Sequence, residues 1–230
     1  MTERWLILDL CAPMMAFGGV AIDHVGPTRD YPAASMLTGL FGNALGWHWS
    51  DTGAHQALQE RLIFAARVEW EGCAITDIQN AKLEKNDSGW TTFGASEGRD
   101  GASYDAPHRR RRDYLADARL LVVLRLDDST TSPTLDQLAL TLDRPARPLF
   151  IGRKPCLPSR PLFAGWCKGA TAHAALGAIG ATQDARAQWP EGQGPTCERT
   201  LGLADLRNWR SGLHGGSRVV VQGRMSKGAP

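Results

Sequence analysis

The sequence predicts an α+β fold: a ferredoxin-like amino-terminal domain, of the RNA-recognition kind, with a long insertion, followed by a small β-rich carboxy-terminal region. Three observations carry this. Over residues 1–151 the apolar pattern reads strand, helix, strand, strand, insertion, strand, helix, strand, close to the split β-α-β plan. From Gln79 to Pro107 the chain turns polar and glycine-bearing for longer than an ordinary connection. After Gly152 the periodicity weakens, and residues 152–230 read as a separate β-rich unit.

Trp5–Leu10 is a short apolar run bounded by turn residues, so it reads as a buried first strand. The loop behind it carries Gly18, Gly19 and Gly26, with an exposed apolar cluster expected at Met14, Met15 and Phe17. Pro32 is placed to open a helix whose apolar side is Met36, Leu37, Leu40, Phe41 and Leu45. Asp51–Arg61 reads as a second helix capped by Asp51 or Thr52. Leu62–Trp70 then has strand character, and Glu71-Gly72 reads as a hairpin turn into a strand over Cys73–Ile78.

Beyond the insertion, Tyr114–Leu126 reads as one strand. Ser132 is placed to cap a helix whose Leu135, Leu138, Ala139 and Leu142 fall at helical spacing. Arg147–Ile151 reads as a strand and Ala170–Ile179 as a helix. Gln183–Pro195 reads as a polar loop, Thr200–Trp209 is ambiguous, and Val219–Gln222 is a short strand.

The net charge of +2 hides an uneven distribution. The intervals Arg144–Gln183 and Leu206–Pro230 contain no acid at all, which favours an anion-binding surface because nearby carboxylates would cancel the field. The strongest local feature is Arg109-Arg110-Arg111-Arg112, four guanidiniums that repel one another unless something anionic holds them. Arginine's fork of donors matches phosphate oxygens.

Five cysteines, none in a CxxC pair, argue against a disulfide framework and a structural zinc site. No secretory signal and no membrane-length apolar stretch is read, so the expected compartment is the cytoplasm. Catalytic patterns are thin: the six histidines stand apart, and neither a Walker-type nor a Rossmann glycine motif occurs in context. No cofactor or metal is expected. His108 beside Tyr114 leaves one enzymatic alternative open, acid–base cleavage of an RNA. Loop aromatics at Phe17, Trp90, Phe93 and Tyr104 suit stacking on bases, and RNA is favoured over duplex DNA because no recognition helix is evident.

Several stretches together resemble a known family. Leu8–Gly18, with its strand followed by Pro13-Met14-Met15-Ala16-Phe17-Gly18, is similar to the opening of the CasD subunits of type I-E CRISPR Cascade, members of the RAMP superfamily. Tyr31–Gly46 resembles the family's proline-serine-glycine helix. Arg112–Ala118 resembles its re-entry from a projecting thumb, and Pro148–Cys156 with Arg160–Phe163 its following strand and loop. The likeness covers roughly the first 170 residues. Met36 departs from the usual glycine, Ala33 from the frequent Ser or Thr, and Phe17 from the commoner Trp.

The resemblance implies a non-enzymatic subunit of an RNA-guided antiviral surveillance complex, with a thumb at about residues 82–113. It implies partners too: the 5′ handle of a CRISPR RNA, CasC-type backbone subunits, a CasA-type large subunit, and target DNA only indirectly through the complex, with no membrane. Sequence reading of the target is left to base pairing with the guide. The expected RNA contacts are His108 and Arg109, Arg110, Arg111 and Arg112, with Arg29, Tyr31, Ser35, Arg153 and Lys154 along the same path. Met14 and Phe17 are expected to pack against the handle or a neighbouring subunit. Two alternatives stay open: a metal-independent repeat endoribonuclease and a purely structural adaptor.

Overall fold

The computed structural model describes residues 2–81, 108–181, 184–196 and 198–226. Most of the expected insertion, with Trp90, Phe93 and Tyr104, lies outside the described residues. Among those described, the framework is a seven-stranded antiparallel sheet in the order β10-β11-β9-β4-β7-β1-β8. Its strands are β1 (Glu3–Cys11), β4 (Leu62–Trp70), β7 (Arg119–Leu126), β8 (Phe163–Gly169), β9 (Ala185–Pro190), β10 (Arg199–Arg207) and β11 (His214–Met225).

β1 shows why a continuous apolar run makes a central strand. Its side chains alternate between faces. Leu6, Leu8 and Leu10 enter one apolar cluster with α1 (Ala34–Ala44), α2 (Thr52–Arg61) and α3 (Leu135–Asp143). Trp5 and Ile7 enter a second cluster on the opposite face, with α4 (Ala172–Ala178) and Trp189. Asp9 interrupts the apolar run and takes a two-pronged ion pair from Arg119, with both contacts at 3.0 Å.

A second, four-stranded sheet sits beside the first. β6 (His108–Ala116) is its middle strand, flanked on one edge by β5 (Cys73–Ala81) and on the other by β2 (Met14–Met15) and β3 (Val25–Gly26). Tyr114–Leu126 is therefore two strands, parted by Asp117 at φ +53°. Glu71-Gly72 is no hairpin turn either. Gly72, at φ +62°, packs against the Ala116 carbonyl, so β5 leaves β4 and pairs with β6.

Five other expectations change. Arg147–Ile151 forms no strand; Arg147 instead donates to the Trp47 and Gly46 carbonyls at 2.7 and 2.9 Å, and the next framework strand is β8. Gln183–Pro195, expected as a loop, contains β9, and Val219–Gln222 is part of the longer β11. α3 is capped by Thr134 rather than Ser132, in a reciprocal capping box with Gln137. The apolar cluster after β1 is not exposed: Met15 and Phe17 are fully buried and Met14 half-buried, because β2 is clamped onto β6.

Candidate nucleic-acid interface

The arginine run lies in β6, so alternation spreads the four guanidiniums over two faces of a strand. Ladder partners across β5 and β6 share a face, which sets Arg109 with Asn80, Arg111 with Ile78, and Asp113 with Thr76. On the opposite face Arg110 stands across from Gln79, Arg112 from Asp77, and Tyr114 from Ile75. β5 is exposed along nearly its whole length, and β6 is exposed at Arg109, Arg110 and Arg111.

The run is lightly engaged with protein. The side chains of Arg109 and Arg112 have no hydrogen bond or ion pair among the described residues. Arg110 reaches the Asp23 carbonyl at 3.3 Å, and Arg111 lies 3.5 Å from Asp113. Asp113 also accepts from the Thr76 hydroxyl at 2.7 Å. That hydrogen bond, aided by the charge of Arg111, holds its carboxyl below the ordinary range. The His108 side chain, expected among the contacts, lies outside what the structure describes.

Beside β6 opens a cleft of about 760 Å³. Its walls are the glycine loop from Ala16 to Ala21, the first turns of α1, the Phe150–Arg153 segment, and the stretch from Ala204 to His214. Four of the expected contact residues line it: Phe17, Arg29, Ser35 and Arg153. Tyr31 and Lys154 do not. Tyr31 is buried, and that burial pushes its hydroxyl up to about 12. Lys154 is exposed and has no ion pair among the described residues.

Within the cleft several side chains serve as structure. Arg153 donates to the carbonyls of Asp113 at 2.9 Å and Gly26 at 2.6 Å, and lies 4.7 Å over the Tyr114 ring. It thus fastens β3 to β6 and forms the wall shared by the cleft and the arginine strand. Arg29 donates to the Ala204 carbonyl at 2.6 Å. Tyr114 is buried beneath Arg153, which removes it from the solvent position that acid–base work on RNA requires.

Sequence reading missed the far wall. Arg207, Trp209 and His214 line the cleft from the β10–β11 turn, and the only signal for them was the acid-free tail beginning at Leu206. It also overcounted free cations, since composition does not show which guanidiniums turn inward. Arg147, Arg153, Arg160 and Arg218 all belong to acid-free tracts, yet each is tied to a backbone carbonyl or to a carboxylate.

The model of the family described as CRISPR-associated protein (Cas_Cas5) matches residues 5–221. The chain belongs to this family. The CRISPR system Cascade subunit CasD of Escherichia coli (strain K12) is 32% identical to this Cas5-family chain over 174 residues, 76% of each. Among solved structures, a chain of a "CRISPR RNA-guided surveillance complex" superposes with a TM-score of 0.70 at 20% identity, covering 97% of this chain and 90% of that one. Another, titled "Crystal structure of Cas protein", gives 0.63 at 21% identity, covering 98% and 96%. These two likenesses are of fold, a sheet-dominated α+β architecture shared over nearly the whole chain.

Proposed function

We propose that this chain is the CRISPR RNA-binding subunit of a type I-E Cascade surveillance complex. It holds the 5′ handle of the guide without chemical turnover. The observation that carries this reading is the junction of the exposed arginine strand with the cleft, joined through Arg153, in a relative of a Cascade subunit. Phosphate contacts of this kind position a nucleic acid and leave sequence reading to the guide's bases.

The finer architecture is read in the same way. Strands β8-β1-β7-β4, with α1, α2 and α3 on one face, follow the ferredoxin-like order and support that assignment for the amino-terminal unit. Residues 152–230 supply its last strand and then the β-rich extension. The β5–β6 pair, exposed at its outer end, supports a projecting thumb at whose base Arg109, Arg110, Arg111 and Arg112 stand. CasC-type and CasA-type subunits are the protein partners, target DNA is met only through the assembled complex, and the compartment is the cytoplasm. Among the described residues no helix is long and apolar enough to cross a membrane.

The test is purification of the chain with its complex. Small RNA and further subunits should co-purify, and the variant with Arg109, Arg110, Arg111 and Arg112 all changed to Ala should retain less guide with a shallower salt dependence. A variant complex with unaltered RNA content and salt slope would overturn the phosphate-grip reading. Labelled repeat RNA incubated with the purified chain in chelator should stay intact, and cleavage would restore the endonuclease alternative.

A further inference from the structure

We infer that the two faces of β6 divide its arginines, Arg109 and Arg111 gripping successive phosphates of a single-stranded RNA while Arg110 and Arg112 hold the loop that carries β3. The inference rests on the RNA-binding reading above and assigns roles within that strand.

The face of Arg110 and Arg112 closes on the body of the protein. It continues into Tyr114, which is buried, and Arg153 lies over that ring. Arg112 is half-buried opposite Gly26, where a Cβ would stand 3.8 Å from the Arg112 Cγ and 3.0 Å from the Arg153 guanidinium. Arg110 turns to the Asp23 carbonyl, and the adjoining backbone bond from the Arg111 N–H to the His24 carbonyl is 2.9 Å. Asp77 stands across the ladder from Arg112, and its carboxylate accepts from the Gln79 amide at 2.6 Å. An anion approaching here meets a surface partly covered at Arg112 and Tyr114, with Arg110 left as its exposed cation.

The opposite face is open. Arg109, Arg111, Ile78 and Asn80 are all exposed, and the acid on it, Asp113, sits at its inner end with its Oδ1 shared by Thr76 and Arg111. Residues two apart on a strand are separated by about 6.7 Å and point the same way. Arg109 and Arg111 therefore offer two parallel guanidinium forks along one line, with an amide donor at Asn80 between the strands. A single-stranded sugar–phosphate backbone running along β6 meets that line. A duplex would present its phosphates on a curved surface and engage the pair less well.

The division is tested on the full-length chain with a fluorescein-labelled oligouridine, measuring anisotropy across a salt series. Two phosphate contacts on a single strand contribute about 1.4 to the slope of log affinity against log salt, equivalent to about 25-fold in affinity at 0.1 M relative to 1 M. Changing Arg109 and Arg111 together to Ala should remove that slope increment. Changing Arg110 and Arg112 together to Ala should leave the slope in place and speed hydrogen exchange at the amides of Val25 and Arg111. If alanine unfolds the strand, the Arg109→Gln, Arg111→Gln pair keeps the aliphatic stems and gives the same readout. Equal slope losses in both pairs, or a loss confined to Arg110 and Arg112, would sink the division while leaving RNA binding intact. A wild-type chain and complex that bind no RNA would instead overturn the RNA reading, and this inference with it.

Discussion

Gln59 pairs with the backbone of Arg207 as a neighbouring strand would. Its Oε1 accepts from the Arg207 N–H at 3.1 Å, and its Nε2 donates to the Arg207 carbonyl at 2.9 Å. Trp209 Nε1 also donates to Oε1, at 3.2 Å. β10 is an edge of the large sheet, and open edges invite pairing with other chains. α2 thus closes the end of this edge with one buried amide. Gln59→Leu should lower stability by about 1–3 kcal/mol by stranding the Arg207 groups, seen as a lower urea midpoint with unchanged m-value. It should also loosen the Arg207–His214 wall of the cleft and reduce RNA retention.

Asp205 works one step further along the same strand. Its side chain is fully buried, takes three contacts from Arg218 at 3.1, 3.0 and 2.9 Å, and accepts from the Ala34 N–H at 3.1 Å. It therefore caps α1, whose own N-cap residue, Ala33, has no side-chain acceptor to offer. Removing one partner of a buried ion pair typically costs about 3–5 kcal/mol, because the other charge stays desolvated. Asp205→Asn should fall in that range by thermal denaturation. The double variant Asp205→Asn, Arg218→Met should cost less than the sum of the two single changes, since no orphaned guanidinium remains.

These two residues show what a sequence can and cannot disclose. β1, β4, α2 and α4 were legible because burial imposes a period on apolar residues, and each of them buries apolar side chains. β9 was hidden because it carries Gln188 in its interior. That amide is buried and bonded at 3.0 Å to Gln222, its ladder partner, so a polar letter marks a core position. The arginine run carries no strand signal in the sequence, because charge usually follows solvent. It is a strand because β2, β3 and β5 supply ladder bonds from both sides, a non-local cause with no local signature. For the site, residue types pointed to RNA, but only the fold shows that Arg153 is a strut and that Phe17 is core.

Arg186 predicts a pH dependence. It grips Glu71 through two nitrogens, at 2.9 and 2.5 Å, and Asp30 at 3.0 Å, tying β9 to the turn after β4 and to the loop before α1. The hydrogen bond from Arg186, then its charge, lowers the Glu71 carboxyl below its ordinary value of 4.5. A carboxyl depressed in the folded state adds stability that is fully present above 4.5 and is lost as pH falls through the lower folded value. Glu71 is more than half exposed, so the contribution is about 0.2–1 kcal/mol. Wild type should lose that increment relative to Glu71→Gln as pH drops below 4.5, and the two curves should run parallel above it. Equal acid sensitivity in both proteins would show that the ion pair carries no net stability.

Two glycines near the cleft separate backbone strain from steric exclusion. Gly152 has φ +89°, and a Cβ there would stand 1.5 Å from the Ala16 carbonyl oxygen. Gly18 has a similar φ of +79°, but a Cβ there would meet nothing within 4 Å. Gly18→Ala should therefore cost only the left-handed penalty, about 1–2 kcal/mol. Gly152→Ala must in addition push the Phe150–Arg153 segment away from the glycine loop, breaking the 3.2 Å bond from the Ala16 N–H to the Ile151 carbonyl. Its cost should exceed that of Gly18→Ala by at least about 2 kcal/mol, in the range seen for overpacked, strained sites. Because that segment also positions Arg153, RNA retention should fall in Gly152→Ala and hold in Gly18→Ala. Comparing thermal midpoints and bound guide RNA for the two variants checks both claims, and equal losses in the pair would mean that close packing at Gly152 does not shape the cleft.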